Sequence, residues 1–425
     1  MAALPLAGTT PSGAAVLIQC PGDADLDAIP DGAADPRNPK IGGTTYSFPG
    51  DARCIHLSSG DGFATMADGR PQYMFGFGDL TGIGQSQALD GGMLAAEWPA
   101  PTIAQDEGDE FYLTLTNVGM MMRPDLFDPH TVHYHGFPQA SSIFDGMPDG
   151  SIAINMGGSL TYYYYVAQPG TYMYHCHVEA TEHMQMGMLG NLYVRPAQNR
   201  LPAGTALSSH PLRRAHSNPD WSANRNEDDP LLGDKYVYND GDGSTYYDVE
   251  AAIQIDHFDP DFHDASLNVQ PLPFALMKDK YPMLNGRGYP DTTNPGSIFG
   301  AGQVENGGRD SQHVSSLIQA RRGDRLLLRL SNLNVTRMDT VATTLPVPMT
   351  VVGISARLLR GPDGKDLSYR TSSVTLNSGE TADVILYLDP AKVQPGRYFL
   401  YSTQLNLLSN NEEDFGGMMT EIRVN

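Results

Sequence analysis

The sequence predicts an all-β protein with two tandem Greek-key β-sandwich domains behind an N-terminal extension. The 425 residues include 45 Gly and 31 Pro, which separate many short alternating apolar runs. Such runs, bounded by turn residues, are typical of antiparallel sandwiches. A block of sequence also recurs about halfway along the chain. A chain of this length has room for two or three domains with cores of their own.

The repeat supports this organisation directly. Residues 107–117 (EGDEFYLTLTN) recur as residues 322–332 (RGDRLLLRLSN), and both copies read as a turn followed by an alternating strand. Residues 129–132 match 348–351, and residues 169–172 match 395–398. The offset grows only from 215 to 226 residues, which favours two copies of one Greek-key unit. We therefore predict an extension over 1–90, a first domain over 91–197, a polar linker over 198–245 and a second domain over 246–425.

Two segments of the first copy carry six of the twelve histidines, at residues 128–136 and 175–188. One Cys thiolate, two imidazoles and a long axial Met form a type 1 copper site, which suits one-electron transfer. The second segment supplies a Cys, a His and a Met in one turn between strands, and a neighbouring strand supplies another His. The predicted type 1 ligands are His130, Cys176, His183 and Met188. Met184 or Met186 is an alternative axial ligand, and a zinc or purely structural histidine cluster is the alternative to copper.

The remaining imidazoles fall on common faces, because alternate residues of a strand point the same way. His133 and His135 share one face, and His175 and His177 share another, opposite to Cys176. Cys176 can therefore serve one metal while its two neighbours serve a second.

At these residues the chain resembles the multicopper oxidase family, in a two-domain, laccase-like form with cupredoxin-type domains. The segments match the family signatures H-x-x-H-x-H-G and H-C-H followed by His and Met, and residues 170–174 (GTYMY) resemble its G-T-Y-W-Y lead-in. The resemblance gives the four ligands above to type 1 copper, and it makes Cys176, His175 and His177 the catalytic electron path. It assigns half of a type 2/type 3 copper cluster to His133, His135, His175 and His177. His183 lies seven residues after Cys176, two more than in common laccases, so we expect a longer ligand loop.

The second copy lacks copper ligands in our alignment. Met349, Val352 and Ile354 fall at the positions of the first three histidines, and residues 401–403 (YST) fall at that of His-Cys-His. We expect this domain to be a scaffold or an oligomer surface. In two-domain members of the family a trimer completes the cluster with histidines from a neighbouring subunit, so the resemblance implies a homo-oligomer, possibly a trimer, although the second set is missing here.

The resemblance implies a copper-dependent oxidoreductase that accepts single electrons at type 1 copper and passes them through His-Cys-His to type 2/type 3 copper for oxygen reduction. The electron donor would be a small reductant, a metal ion or a cytochrome. Glu179 and Glu182 flank the ligand loop and could bind a cationic substrate or relay protons, although exposed loop carboxylates are usually only solvated. The alternatives are a non-catalytic blue-copper electron-transfer protein and a copper nitrite reductase-like enzyme.

The N-terminal segment holds the other two cysteines, Cys20 and Cys54. We predict a disulfide between them, with two buried free thiols as the alternative. Carboxylates spaced like those of the D-x-D-x-D calcium repeats of extracellular proteins follow Cys20. They are Asp23, Asp25, Asp27 and Asp31. Calcium is one interpretation of this spacing and a solvated acidic loop is the other.

The charge balance limits the partners. The chain carries 49 acidic residues against 27 basic ones, a net charge of −22, which argues against nucleic acid and favours cationic partners. We find no apolar run long enough for a membrane span. The N-terminus lacks the basic region of a signal peptide, yet a blue-copper site and a disulfide favour the periplasm or the cell exterior.

Overall fold

The computed structural model describes residues 16–29, 52–137, 140–200, 207 and 235–425. Strands dominate these residues and the helices are few and short, which confirms the all-β prediction. No helix in this part of the chain is long and apolar enough to cross a membrane.

The first domain is a sandwich of two four-stranded sheets. Its strands are β1 (Ala52–Thr65), β2 (Pro71–Asp79), β3 (Ile103–Asp106), β4 (Glu110–Gly119), β5 (His133–Tyr134), β6 (Ser159–Tyr165), β7 (Gly170–His175) and β8 (Leu189–Arg195). Its helices are α1 (Ala88–Gly92) and α2 (Ala180–Met186). One sheet has the order β2-β1-β4-β6 and the other β3-β8-β7-β5. The predicted repeat strand is β4, whose apolar residues lie in the core between the sheets.

The sheet pairing changes the predicted start of this domain. β1 pairs in parallel with β4 and antiparallel with β2, so residues 52–79 belong to the first sheet. The predicted extension over 1–90 therefore overlaps the domain. The sequence of β1 does not show the usual alternation of apolar and polar residues, because this strand buries polar side chains, among them His56, Ser59 and Asp61.

The second domain repeats this topology. A small hairpin of β9 (Lys235–Tyr236) and β10 (Tyr246–Tyr247) precedes it. Its strands are β11 (Val249–Phe258), β12 (Tyr281–Leu284), β13 (Ile318–Ala320), β14 (Arg325–Asn332), β15 (Asp339–Thr343), β16 (Met349–Ile354), β17 (Arg357–Leu358), β18 (Tyr369–Thr371), β19 (Ser373–Leu376), β20 (Glu380–Tyr387), β21 (Gly396–Ser402) and β22 (Met419–Val424). Its helices are α3 (Pro260–Leu267) and α4 (Ala301–Glu305). The order β12-β11-β14-β20 reproduces β2-β1-β4-β6, and β13-β22-β21-β15 reproduces β3-β8-β7-β5.

This correspondence corrects one part of the sequence alignment. We aligned the histidine segment of the first domain with residues 349–354, but those residues form β16 beside β20, in the other sheet. The counterpart of β5 is β15, because β15 pairs with β21 as β5 pairs with β7. His133 lies opposite His175, and the equivalent pair in the second domain is Ala342 and Tyr401. Neither of these two residues is a copper ligand.

The two domains meet through a buried polar network on β7. Thr171 donates from its hydroxyl to Asp383 Oδ1 at 2.6 Å, and Tyr238 donates to Asp383 Oδ2 at 2.6 Å. Arg329 donates to the Thr171 hydroxyl at 3.1 Å, and the Thr381 hydroxyl donates to the Thr171 carbonyl at 2.8 Å. Separating a buried charge from its partners costs several kcal/mol, roughly 3 to 5, so these groups stay together. β20 of the second domain is thereby fixed against the strand that ends at His175.

At the N-terminal end, a disulfide joins Cys20 and Cys54, with 5.8 Å between their Cα atoms. Cys54 lies on β1, so the bond attaches residues 16–29 to the edge of the first domain.

His56 on β1 leads to a prediction about pH. Its Nε2 lies 2.7 Å from the Thr116 hydroxyl, and burial lowers its pKa to about 4. The unfolded chain, with an ordinary histidine pKa of about 6.5, takes up this proton first, so falling pH favours unfolding between about 6.5 and 4. We expect His56→Gln to reduce the pH dependence of unfolding in this window by up to about 1.4 kcal/mol per pH unit.

Urea unfolding of the metal-free protein at pH 7, 6 and 5 measures this slope. The control Thr116→Val removes the hydroxyl but retains the imidazole, and should keep the wild-type slope. Equal slopes for His56→Gln and wild type would contradict the assignment.

Candidate metal centre

The first donor set surrounds Cys176, which is fully buried at the end of β7. Its Sγ lies 3.2 Å from His183 Nδ1 and 3.6 Å from His130 Nδ1. Metal–sulfur and metal–nitrogen bonds of about 2.3 and 2.0 Å separate two donors of one ion by about 3.0 to 3.7 Å. The thiol and both imidazoles are therefore spaced to bind a single metal ion.

The ligand loop folds in a way that the sequence did not reveal. We expected a strand-loop-strand turn, but the residues after Cys176 form α2, and His183 is on its buried side. Gly187 ends the helix with φ +119°, and a Cβ there would lie 2.6 Å from the Phe75 carbonyl. The Cys176 amide then donates to the Met188 carbonyl at 3.1 Å, which returns the fully buried Met188 to the core that contains Cys176.

Burial sets the protonation of this donor set. It raises the pKa of the Cys176 thiol to about 12 and lowers the pKa of His183 to about 4. Burial, followed by the nearby His183, also lowers the pKa of His130. Both imidazoles therefore stay neutral at pH 7 and offer lone pairs. The thiol gives up its proton only to a strongly thiolate-binding metal, so metal binding must release a proton.

The second donor set consists of imidazoles around the end of β7. The nitrogen atoms of His133, His135 and His175 lie within 4.8 Å of one another, and the two Nε2 atoms of His135 and His175 are 2.9 Å apart. Nδ1 of His133 donates to the Asp145 carbonyl at 2.6 Å, and Nδ1 of His175 donates to the Cys176 carbonyl at 2.7 Å. Their Nε2 lone pairs are thus left for a ligand. Nitrogens 2.9 Å apart can share one ion at about 2.0 Å with an angle of roughly 90°.

His177 lies beside this group and not within it. Its ring centre is 4.9 Å from that of His133 and 5.5 Å from that of His175. Three imidazoles therefore converge and the fourth flanks them. The assignment of all four to type 2/type 3 copper stays a prediction.

A cavity of about 610 Å³ opens onto the imidazole cluster. His133 and His135 line it from the first domain, and Arg357, Gly379 and Thr381 line it from the second. A small molecule can therefore approach this cluster between the domains.

Acidic side chains lie on the other side of His183. Ligand atoms of Asp128, Glu179 and His183 lie within 4.8 Å of one another, and His183 Nε2 is 4.0 Å from Asp128 Oδ2. This buried Nε2 has no hydrogen-bond partner among the described residues. Burial raises the pKa of Asp128 and Glu179. His183 therefore lies between the first donor set and the carboxylates of Asp128 and Glu179, which we call the acidic edge.

The suggested calcium ligands are only partly described. Carboxylates of Asp23, Asp25 and Asp27 lie within 4.8 Å of one another, and Asp31 lies outside the described residues. The Asp23 carboxylate accepts the amides of Leu26 and Ala28 at 2.7 and 2.8 Å. These bonds explain the loop without an ion, and calcium stays a prediction.

Sequence reasoning missed two residues at the imidazole cluster. Asp145 touches His133, with its Oδ2 3.6 Å from Nδ1 in addition to the carbonyl bond. Gly379 touches His135 from the second domain, at a separation of 244 residues. No local motif marks either residue, because both contacts depend on how loops pack.

Comparison with known proteins identifies this arrangement. Residues 87–212, which contain every predicted copper ligand, match the sequence model of the multicopper oxidase family. This segment, 126 of the 425 residues, is therefore similar to multicopper oxidases. A multicopper oxidase of Talaromyces pinophilus is 32% identical over 139 residues, which cover 30% of this chain and 22% of that protein. The chain thus matches about a fifth of the length of that relative.

Solved structures agree on the fold. The blue copper oxidase of Nitrosomonas europaea aligns with a TM-score of 0.58 at 21% identity, covering 87% of this chain and 85% of that one. The copper nitrite reductase of Nitrosomonas europaea aligns with a TM-score of 0.52 at 16% identity, covering 87% and 93%. At these identities the comparisons support the cupredoxin fold and do not distinguish between the two activities.

Copper is the cofactor that the multicopper oxidase family implies, and both donor sets fit it. A thiolate with two imidazoles suits type 1 copper, for which Met188 stays the predicted axial ligand, and clustered imidazoles suit a copper without thiolate. The first set offers Nδ1 atoms and the second offers Nε2 atoms. The two sites therefore share no donor atom.

Cys176→Ser tests the first donor set. We expect the copper-loaded variant to lose the intense visible absorption of a thiolate–copper bond, because Cys176 is the one cysteine outside the disulfide. Copper at the imidazole cluster should remain, with its EPR signal. Visible absorption and EPR on the same sample check both points, and retained absorption would contradict the assignment.

Proposed function

We propose that this protein is a copper-dependent oxidoreductase of the multicopper oxidase type. Single electrons enter at the type 1 site of His130, Cys176, His183 and Met188. His175 and His177 would connect this site to copper held by the imidazole cluster, where oxygen would be reduced. The observation that carries the proposal is that Cys176 directly follows His175 of the second donor set, so that one peptide bond connects the two sets.

The residues have distinct roles in this proposal. Copper supplies reversible one-electron chemistry at both sites. The burial of Cys176 and His183 excludes water from the first set, α2 holds His183 beside the thiol, and the bond from the Cys176 amide to the Met188 carbonyl holds the backbone of Met188 there. Backbone carbonyls fix the tautomers of His133 and His175 so that Nε2 faces the second set. Four electrons and four protons convert one oxygen molecule into two of water, so four one-electron donors are consumed per turnover.

A complete trinuclear cluster needs more donors than the described residues supply. The domain repeat leaves Ala342 and Tyr401 where ligands would face the cluster from a second copy. We propose a homo-oligomer, with a trimer as one arrangement, in which a neighbouring copy supplies the additional donors from positions other than these two. Export to the periplasm or the cell exterior agrees with the disulfide and belongs to the same proposal.

Copper content and oxygen uptake test this function. We expect copper-loaded protein to hold at least two coppers per chain and to consume oxygen with a small aromatic reductant. His135→Ala should abolish oxygen uptake while the reductant still bleaches the thiolate absorption, because only the second donor set is lost. His313→Ala, on the surface away from both sets, is the control. One copper per chain with no oxygen uptake would instead indicate a blue-copper electron carrier.

The carboxylates of Asp128 and Glu179 beside His183 indicate a class of electron donor. With copper on Nδ1, the Nε2 of His183 carries a proton, and Asp128 at 4.0 Å is too far away to accept it. A reductant with a positive charge would meet the carboxylates of Asp128 and Glu179, which are more exposed than the buried Nε2 beside them. Cationic aromatic amines and hydrated metal ions belong to this class.

Asp128→Asn and Glu179→Gln test this edge. Each should raise KM for a cationic reductant about two- to fivefold, as expected for loss of one partly exposed charge pair, and leave KM for an anionic reductant unchanged or lower. Glu305→Gln, on exposed α4, makes the same change in net charge elsewhere and should have no effect. Equal effects on both reductants would contradict a direct role.

A second candidate is nitrite reduction. Three imidazoles converge and not four, with the Asp145 carboxylate 3.6 Å from His133, which would suit a single copper beside an acid. Nitrite would take one electron and two protons to give nitric oxide and water. Nitrite loss with a reductant under anaerobic conditions, without oxygen uptake in air, would favour this candidate over the oxidase.

A further inference from the structure

Each of the three converging imidazoles has its Nδ1 against a backbone carbonyl. The first domain provides two of these carbonyls, at Asp145 and Cys176. The third belongs to the second domain, where the Gly379 carbonyl lies 3.1 Å from His135 Nδ1. A carbonyl can only accept, so Nδ1 of His135 donates to it, and the Nε2 atoms of His135 and His175, 2.9 Å apart, would then offer their lone pairs to one shared metal ion. The domain without copper ligands therefore touches the proposed metal site.

Gly379 is held firmly where it makes this contact. It lies directly before β20, and its amide donates to the Asn332 carbonyl at 2.8 Å. Two residues later, the Thr381 hydroxyl donates to the Thr171 carbonyl on β7, the strand that ends at His175. The Gly379 carbonyl and the imidazole cluster are thus both held in place by β7.

Two observations require glycine at this position. The φ angle is +83°, in the left-handed region that other residues rarely adopt. A Cβ here would lie 2.9 Å from His135 Cε1 and 3.1 Å from its Nδ1. The first of these distances is shorter than Cβ contacts in proteins, so a larger residue must displace either the ring or the turn.

We propose that Gly379 is a positioning residue for the imidazole cluster. Its carbonyl fixes the tautomer and direction of His135, and its lack of a side chain leaves room for that ring. The ligand-free second domain is then part of the metal site through its backbone. The inference rests on the proposed copper binding at this cluster, but the hydrogen bond itself can be tested without copper.

Gly379→Ala is the principal variant, and Gly364→Ala is its matched control. Gly364 has φ +79° with no atom within 4 Å of a Cβ, so its variant carries the same backbone strain far from the cluster. Gly379→Asn adds the same Cβ with a residue that tolerates positive φ better, which separates the contact with His135 from strain. The thiolate–copper absorption reports whether the first domain is folded in every variant.

Copper titration followed by EPR gives the first readout. We expect both Gly379 variants to weaken copper binding at the imidazole cluster about 10- to 100-fold, the usual cost of losing such an outer partner. The type 1 absorption should persist, and Gly364→Ala should match wild type in both signals. Wild-type affinity at the cluster in both Gly379 variants would overturn the proposal.

Imidazole ¹⁵N NMR of the metal-free protein gives the second readout. In wild type the His135 Nδ1 should carry the proton, and this signal should change in the Gly379 variants but not in Gly364→Ala. If the wild-type protein binds only one copper, the proposed function is wrong. The ¹⁵N spectrum then still tests whether Gly379 positions His135. An unchanged His135 signal in both Gly379 variants would overturn it.

Discussion

The structure depends on the peptide bonds that join His175, Cys176 and His177 at the end of β7. They place the thiol in the core of the first domain and the two imidazoles beside those of His133 and His135. The two donor sets are thereby connected through adjacent backbone positions. Other features of the first domain, such as the helical ligand loop and the carbonyls behind the imidazoles, orient donors around this fixed connection.

The second domain has kept the sandwich topology of the first without its chemistry. Where the first domain pairs His133 with His175, the second pairs Ala342 with Tyr401. Its contribution is mechanical: the buried network of Thr171, Asp383 and Arg329 fixes β20 against β7. Since a buried charge that loses its partner is costly, this network resists small shifts between the domains. A site at the boundary can then use backbone groups of both domains.

The sequence predicted the parts of the site that lie close together along the chain. Four of the predicted ligands fall within residues 175–183, and their spacing reports their chemistry directly. The repeat strands β4 and β14 were predicted because each alternates cleanly after a turn glycine with positive φ. β1 was missed because it buries polar groups with structural roles. Asp61, for example, accepts the amides of Met121 and Met122 near the copper segment.

The remaining features depend on long-range packing. Three identical residues out of four could not show which sheet the segment at 348–351 would join, and it lies in the other sheet. The contact of Gly379 with His135 spans 244 residues and involves a carbonyl, which every residue has. The helical ligand loop depends on a glycine at its end and on the core beneath it.

The central claim is that electrons pass from the thiolate site to the imidazole cluster. Stopped-flow absorption of copper-loaded protein tests it most directly, after anaerobic reduction of the type 1 site by limiting reductant and mixing with oxygen. We predict that the thiolate–copper absorption returns rapidly in wild type and stays bleached in His135→Ala. The account would be contradicted if absorption returned equally fast in both proteins, or stayed bleached in wild type that holds two or more coppers per chain.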